Sequence, residues 1–237
     1  MYVEKFNSKN RNDIYKLWYD IYYIEMNRNH KYVCHNKKTI IDELEDSSTI
    51  LVLKNSNKQI IGTSRINTPY DNLYEYFDFY KLNHFEKNKV AIVTKFMIER
   101  EYRKNQTSYI LALSTVEYCK QNNIEWIIMD CSPRLYDFFE KLGFKEYLGI
   151  KYSEEYGEVK IMKFNVNNYF DGLLSNDKLK NKIFLPIPYH NSFDSYLLQQ
   201  EIFKYINGKT EEIHSNLINI KNLRNILKKA EESLWKF

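Results

Sequence analysis

The sequence predicts an α/β fold: a mixed central sheet flanked by helices, followed by a helical C-terminal extension. Three observations carry this. Apolar residues recur at helical spacing over 12–26, 105–121 and 133–142, as with Ile14, Leu17, Trp18 and Ile21 at i, i+3, i+4 and i+7. Strand-like stretches at 49–66, 90–99 and 124–129 fall between those helices. After about residue 167 the pattern changes to long amphipathic stretches joined by Pro186-Ile187-Pro188. The expected organisation is therefore one α/β domain at 1–170 and a helical extension at 171–237. Of the 237 residues, 43% are hydrophobic, enough to build a core without disulfides or a structural metal. Aromatics at 16% argue against a disordered chain.

Each element has its own local signal. Residues 2–6 alternate like a short strand, and Asn12 or Asp13 is placed to cap the 12–26 helix. Residues 27–47 are polar and read as loop, with a helical turn around Ile40 to Glu45. Thr49 to Leu53 and Gln59 to Ile66 form a hairpin about the turn Asn55-Ser56-Asn57-Lys58. Residues 69–87 are dense in aromatics (Tyr70, Tyr74, Tyr76, Phe77, Phe79, Tyr80, Phe85) and either cover the core or wall an apolar substrate channel. Val90 to Glu99 is a strand, and Ile124 to Met129 is a continuous apolar strand of the kind buried on both faces. The 133–142 helix begins near Pro133 and ends at Gly143. A second hairpin joins 144–150 to 159–166. In the extension, Ser192 caps a helix at 193–206, and a last helix runs from Thr210 with Ile213, Leu217, Ile220, Leu223, Leu227, Ala230 and Leu234 on one stripe. That stripe suits a helical hairpin docked on the main domain or, alternatively, a homodimer.

Charge and cysteine content narrow the function classes. With 35 Lys+Arg against 31 Asp+Glu, the net +4 is too small and too dispersed for a nucleic-acid-binding face. It is compatible with a mild attraction to an acidic nucleotide cofactor or carrier protein. Three cysteines without CxxC spacing fit a reducing cytoplasm, and five histidines without HxH or HxxxH spacing predict no metal site. Neither a signal peptide at the N-terminus nor an 18-residue apolar run is expected, hence a cytoplasmic protein with no membrane span.

Residues 90–148 carry the chemistry. The run Phe96-Met97-Ile98-Glu99-Arg100-Glu101-Tyr102-Arg103-Lys104-Asn105-Gln106-Thr107-Ser108 joins a strand to a helix. It resembles the pattern Leu-x-Val-x-Pro-x-x-Arg-x-x-Gly-x-Gly/Ala of the GNAT superfamily of acyl-coenzyme A transferases. Phe138-Phe139-Glu140-Lys141-Leu142-Gly143-Phe144 resembles the family's later aromatic pair and Glu-Lys-Leu-Gly-Phe. Physics points the same way: a helix starting near 105 offers unpaired N–H groups and the positive end of its dipole to a pyrophosphate, and Arg103 and Lys104 add charge there. Gln106 stands in place of the first glycine of the pattern. The resemblance implies that Phe96, Met97, Ile98, Arg103, Lys104, Gln106, Thr107 and Ser108 bind an acyl-coenzyme A donor such as acetyl-CoA.

A narrower resemblance spans about 3–170, to the long-chain N-acyl amino acid synthases and N-acyl-homoserine-lactone synthases. Residues 14–22 resemble that branch's opening helix, with Trp18 where an arginine is common. Asp42-Glu43-Leu44-Glu45 resembles its Asp-x-x-Asp segment, Gly62-Thr63-Ser64-Arg65-Ile66 its Gly-x-x-Arg-Leu strand, and Ser132-Pro133-Arg134 its His-Pro-Arg run. Lactone synthases carry Glu-x-Ser-Arg on the central strand, where this chain has Ile92-Val93-Thr94-Lys95. The branch implies acyl carrier protein as an alternative donor and places Asp42, Glu45 and Arg65 around the carboxylate and amine of a small amine or amino acid acceptor.

The expected reaction is attack of a neutral amine on a thioester carbonyl, with the oxyanion held by backbone N–H groups near Phe96 and Met97. Glu99 and Asp130 close the two strands that flank the cleft, and either is a candidate base. A surface charge at Glu99 and a helix cap at Asp130 are the structural alternatives. The family's general-acid tyrosine is replaced by Phe139; Tyr136, one turn earlier, is the nearest phenol. A rival from another class is a non-catalytic member of the fold that binds an acyl thioester or a partner protein.

Overall fold

The computed structural model describes residues 2–7, 11–28, 31–68, 74–103, 107–153 and 156–168. The chain divides into two units, Met1–Ile183 and Phe184–Phe237, and every described residue belongs to the first. The expected extension at 171–237, its helices and its dimer stripe lie outside the described residues.

Strand β1 (Tyr2–Lys5) leads to helix α1 (Asn12–Tyr19), which loosens into a π-helical segment, Asp20–Glu25. A small hairpin, β2 (Val33–Cys34) with β3 (Thr39–Ile40), precedes β4 (Thr49–Lys54) and β5 (Ile60–Asn67). Then come α2 (Tyr74–Tyr80), β6 (Val90–Ile98), α3 (Thr107–Gln121), β7 (Trp126–Cys131), α4 (Tyr136–Lys141), β8 (Lys145–Ser153) and β9 (Gly157–Asn165). Seven strands form one sheet in the order β1-β4-β5-β6-β7-β9-β8. All neighbours are antiparallel except β6 and β7, which are parallel and joined through α3.

Three local expectations are corrected. Arg11 occupies the N-cap of α1 without a side-chain cap bond, because its guanidinium is drawn to Glu45. The helical turn expected over 40–45 is instead β3 followed by turns, since pairing with β2 satisfies that backbone. The 133–142 helix splits into a 3₁₀ turn, Pro133–Leu135, and α4.

The sheet is covered on both faces, which is why β6 and β7 read as unbroken apolar runs. Alternate residues go to opposite sides. Ala91, Val93, Ile127 and Met129 pack with Leu113, Val116 and Phe139 of α3 and α4. Val90, Ile92 and Ile128 pack with Tyr80, Leu82 and Leu44 on the other side. Next to that second cluster, α1 lays Ile14, Leu17 and Trp18 against Ile50, Val52 and Met97. The aromatic insertion covers the core here: Tyr76, Phe77, Phe79 and Phe85 pack against the Val90–Ile92–Ile128 cluster.

One irregularity shapes the middle of the sheet. Gly62 pairs with Ile98 and Thr63 with Met97, but Arg65 pairs with Thr94, so Lys95 and Phe96 together oppose Ser64. This is a β-bulge, and Lys95 sits in it with φ +48°. Strict alternation would send Lys95 into the apolar α3/α4 side. The bulge instead turns it to the α1 side, while Phe96 still reaches Phe139 with ring centroids 5.5 Å apart. Beside the bulge, β5 runs so close to β6 that a Cβ on Gly62 would stand 2.9 Å from the Met97 carbonyl oxygen and 3.0 Å from Ile98 Cγ1. Gly62→Ala should therefore destabilise the domain by about 1–3 kcal/mol, read as a lower urea midpoint at unchanged m-value.

Candidate active site

The parallel pairing of β6 with β7 runs only from Val90–Trp126 to Ile92–Ile128. Beyond that point β6 keeps its partner β5 as far as Ile98, and β7 keeps β9 as far as Cys131. The two strands are held from outside and part in the middle. The divergence separates the carboxyl ends of two parallel strands, where open α/β sheets place their ligand cleft, with the Lys95 bulge on β6 and Asp130 on β7.

On the α1 side of this cleft lies a buried charge cluster. Arg65 NH1 donates to Asp42 Oδ1, and Lys95 Nζ stands 3.4 Å from Asp42 Oδ2. Arg65 Nε also donates to Thr94 Oγ1 at 2.9 Å. Arg65 and Lys95 are each 2% exposed and Asp42 8%, so two cations share one carboxylate out of contact with bulk water. Taking such charges from water is costly, and each is tolerable only because the others are present. Trp18 adds its ring face, 5.6 Å from the Arg65 guanidinium and 5.4 Å from Lys95 Nζ, and Tyr22 lies 4.6 Å from Lys95 Nζ. Burial raises the Asp42 carboxyl, but Arg65 and then Lys95 outweigh it and hold the group down at about 2. Arg65 is raised in turn: burial acts to lower it, and the Asp42 charge overcomes that.

Across from the cluster, Asp130 accepts a 2.6 Å hydrogen bond from Tyr80 Oη. Tyr80 comes from α2 and is 3% exposed. Burial, and then the Asp130 charge, push its phenol well above the ordinary tyrosine range, so it stays a donor. Tyr22 is raised by the same two causes in the same order. Between the halves stands Tyr156 of the β8–β9 turn. Its hydroxyl is 3.4 Å from Lys95 Nζ, and its ring lies 5.4 Å from Tyr22, with the Arg28 guanidinium 5.4 Å from its centre.

The predicted residues separate into groups. Asp42 and Arg65 are paired with each other inside the protein. Glu45 is not part of that pair: it is 1% exposed and held at 2.5 Å by Arg11. Asp130 is bonded to Tyr80, and the N-cap position of the turn after β7 is Ser132, which makes no side-chain cap bond, rather than Asp130. Glu99, half-buried, donates its N–H to Ile61 O at 2.9 Å; desolvation and then Glu101 and Asp20 raise its carboxyl. Its charged neighbours thus differ from those of Asp130. Phe96, Met97 and Ile98 form the end of β6, the last two buried. Arg103 Nε donates to Ile98 O at 2.7 Å, and its other nitrogens form a bidentate pair with Glu25, with NH2 2.8 Å from Oε2. Lys104 and Gln106 lie outside the described residues. Thr107, fully buried, and Ser108 open α3. Tyr136 opens α4 under the Lys160 ammonium, 3.8 Å from its ring centre. Cys131 is buried, and desolvation followed by the Asp130 charge pushes its thiol up to about 12, which leaves no thiolate for nucleophilic chemistry. Among the described residues no cluster of His, Cys, Asp and Glu is suited to a metal ion, and no helix is long and apolar enough to cross a membrane.

Sequence reasoning missed Lys95, Tyr80, Tyr22 and Tyr156. Lys95 had one signal, a lone cation in an otherwise apolar strand. The tyrosines had none, because they are three of 21 in the chain.

A family model described as "N-acyl amino acid synthase FeeM" matches residues 13–165, more than half of the chain. No curated protein matches. Among solved structures, FeeM, an N-acyl amino acid synthase from uncultured soil microbes, superposes with a TM-score of 0.55 at 16% identity, covering 72% of this chain and 94% of that one. BjaI, a CoA-dependent acyl-homoserine lactone synthase with SAM and isopentyl-CoA, gives 0.63 at 14%, covering 84% and 99%. TofI, in a ternary complex with an inhibitor and MTA, gives 0.58 at 13%, covering 76% and 100%. At these identities the likeness is one of fold, and it is the GNAT-like fold and synthase branch expected from the motifs.

Asp42→Asn removes the carboxylate that pairs with both buried Arg65 and Lys95 and should cost about 3–5 kcal/mol of stability. In the wild type the Asp42 carboxyl is depressed from 3.8 to about 2. Its contribution is thus complete above the unfolded value and is lost as pH falls through the folded one. Urea midpoints measured from pH 5 down to pH 2 should fall in the wild type through this window and be flatter in Asp42→Asn.

Proposed function

The chain belongs to the N-acyl amino acid synthase family, and from that premise we propose that it joins the acyl group of a thioester to the α-amine of an amino acid whose carboxylate is free. Members of this family are N-acyltransferases that make N-acyl amides. The observation that supports the finer reading is the buried ion cluster in which Asp42 pairs with both Arg65 and Lys95, beside the point where β6 and β7 part. An acceptor carboxylate would take charge-assisted hydrogen bonds from these two cations, and bonds of this kind contribute about 1.5–3 kcal/mol each. A sulfonium acceptor would bring a further cation, and at the position of the lactone synthases' acid this chain has Ile92, which is fully buried among apolar neighbours.

In this reading Asp130, held by Tyr80, takes a proton from the acceptor ammonium directly or through one water. The freed amine attacks the thioester carbon, and the oxyanion is stabilised by backbone N–H groups of β6 at Phe96 and Met97. The C–S bond then breaks as the nitrogen, now an amide, gives up its second proton to water or to the leaving sulfur. Phe139 has no proton to give, and a thiolate with a pKa of roughly 8.5 can take its proton from water or from the protonated Asp130. Arg103, Lys104, Gln106, Thr107 and Ser108 at the start of α3 are assigned to the phosphopantetheine end of the donor. That end is common to coenzyme A and acyl carrier protein. Binding of donor requires Arg103 to exchange its pair with Glu25 for the phosphate.

Thiol release by the full chain tests this, with acetyl, octanoyl and palmitoyl donors on coenzyme A and on acyl carrier protein. The acceptors are amino acids and their carboxamides. Turnover should require the free carboxylate, with the carboxamide lower in kcat/KM by about tenfold to a hundredfold. Lys95→Gln should remove most of that discrimination. Equal turnover of acid and amide would overturn the acceptor assignment. Asp130→Asn should lower kcat by about 10²–10⁴-fold and abolish the acidic limb of the pH–rate profile, and an unchanged profile would reject Asp130 as the base.

A further inference from the structure

The strained peptide at the bulge is held by a chain of hydrogen bonds that reaches it from α1. Trp18 Nε1 donates to Thr63 Oγ1 at 2.9 Å, and Thr63 Oγ1 donates to the backbone carbonyl of Lys95 at 2.9 Å. Both side chains are fully buried. The order of donors is fixed. Indole N–H can only donate, so the hydroxyl accepts from it and has its own proton left for the carbonyl.

The carbonyl concerned belongs to the Lys95–Phe96 peptide, just after the residue at φ +48°. A lysine in the left-handed region persists only where its surroundings over-determine it. Because the peptide is planar and trans, fixing the carbonyl towards Thr63 on β5 fixes the Phe96 N–H in the opposite direction, away from β5 and towards the side on which β6 and β7 part. The pairing of β6 with β7 has already ended at Ile92.

We propose that Trp18 and Thr63 are positioning residues for acyl transfer: their relay sets the orientation of the Phe96 N–H that stabilises the oxyanion. This rests on the acyltransferase reading above but assigns roles to residues that touch neither donor nor acceptor. It also gives Trp18, out of place in the opening helix of the branch, a specific task. Only a ring N–H at this point of α1 delivers a single, directed donor to Thr63 while its face lies over Lys95 and Arg65.

The experiment compares Thr63→Val, Thr63→Ser and Trp18→Phe in the full chain. Thr63→Val keeps the shape and removes the hydroxyl. It should lower kcat about tenfold to a hundredfold with KM for the acyl donor changed less than threefold, because the oxyanion exists only in the transition state. Thr63→Ser restores the hydroxyl and should recover kcat to within about threefold. Trp18→Phe keeps a ring over the cations and should fall between the two. Backbone amide exchange over 94–98, followed by mass spectrometry, gives a readout independent of turnover. It should speed up in Thr63→Val and Trp18→Phe and stay at the wild-type rate in Thr63→Ser. Wild-type kcat in Thr63→Val, or a loss in Thr63→Ser as large as in Thr63→Val, would overturn the relay. If the wild type turns over no donor, the acyltransferase reading fails on its own, and unchanged exchange in Thr63→Val then refutes the brace separately.

Discussion

The site depends on a single carboxylate. Asp42 is paired with both buried cations of the cluster. Arg65 comes from β5, Lys95 from β6 and Asp42 from the segment before β4, so the ion cluster ties three parts of the chain that share no local sequence signal. Its desolvation cost is met by mutual attraction and by the Trp18 and Tyr22 faces. A cluster of this kind resists replacement piece by piece: losing the acid removes the partner that two buried cations share, and losing one cation removes part of what an anionic acceptor would bind.

The bulge and the cluster are one device. Without the extra residue opposite Ser64, Lys95 would face the apolar layer under α3 and α4. With it, Thr94 and Lys95 fall on the same side, one bonded to Arg65 Nε and the other to Asp42. The same step ends regular geometry in β6 where β6 and β7 separate. Charge placement and cleft opening thus follow from one inserted residue, and its left-handed backbone is retained because Trp18, Thr63 and Asp42 all hold it in place.

The aromatic insertion does two jobs. Its larger part closes the core over Val90, Ile92 and Ile128. Its last helical residue, Tyr80, reaches Asp130. Burial of Tyr80 keeps its hydroxyl protonated, so it remains a donor to the carboxylate. The sheet face that carries α1 and α2 is therefore where both the charge cluster and the candidate base are assembled, and the opposite face, under α3 and α4, is apolar packing.

The sequence by itself determined the elements and the frame: the apolar β6 and β7 runs, the two hairpins, the helical spacing of α1 and α3, and the Phe-Phe-Glu-Lys-Leu-Gly-Phe run that ends α4. These are legible because periodicity and capping are local, set by residues within one or two turns of each other. It also marked Asp42 and Arg65, through their resemblance to the synthase branch, and Asp130, at a strand end. It gave no sign that Asp42 and Arg65 are buried together, that Glu45 turns away to Arg11, that Tyr80 bonds Asp130, or that Lys95 is rotated to the α1 side. Only the tertiary structure decided those, for a physical reason. A bulge is a relation between two strands rather than a property of one. A buried charge declares its partner only when segments 23 and 50 residues apart, as for Arg65 with Asp42 and Tyr80 with Asp130, are brought to hydrogen-bonding distance.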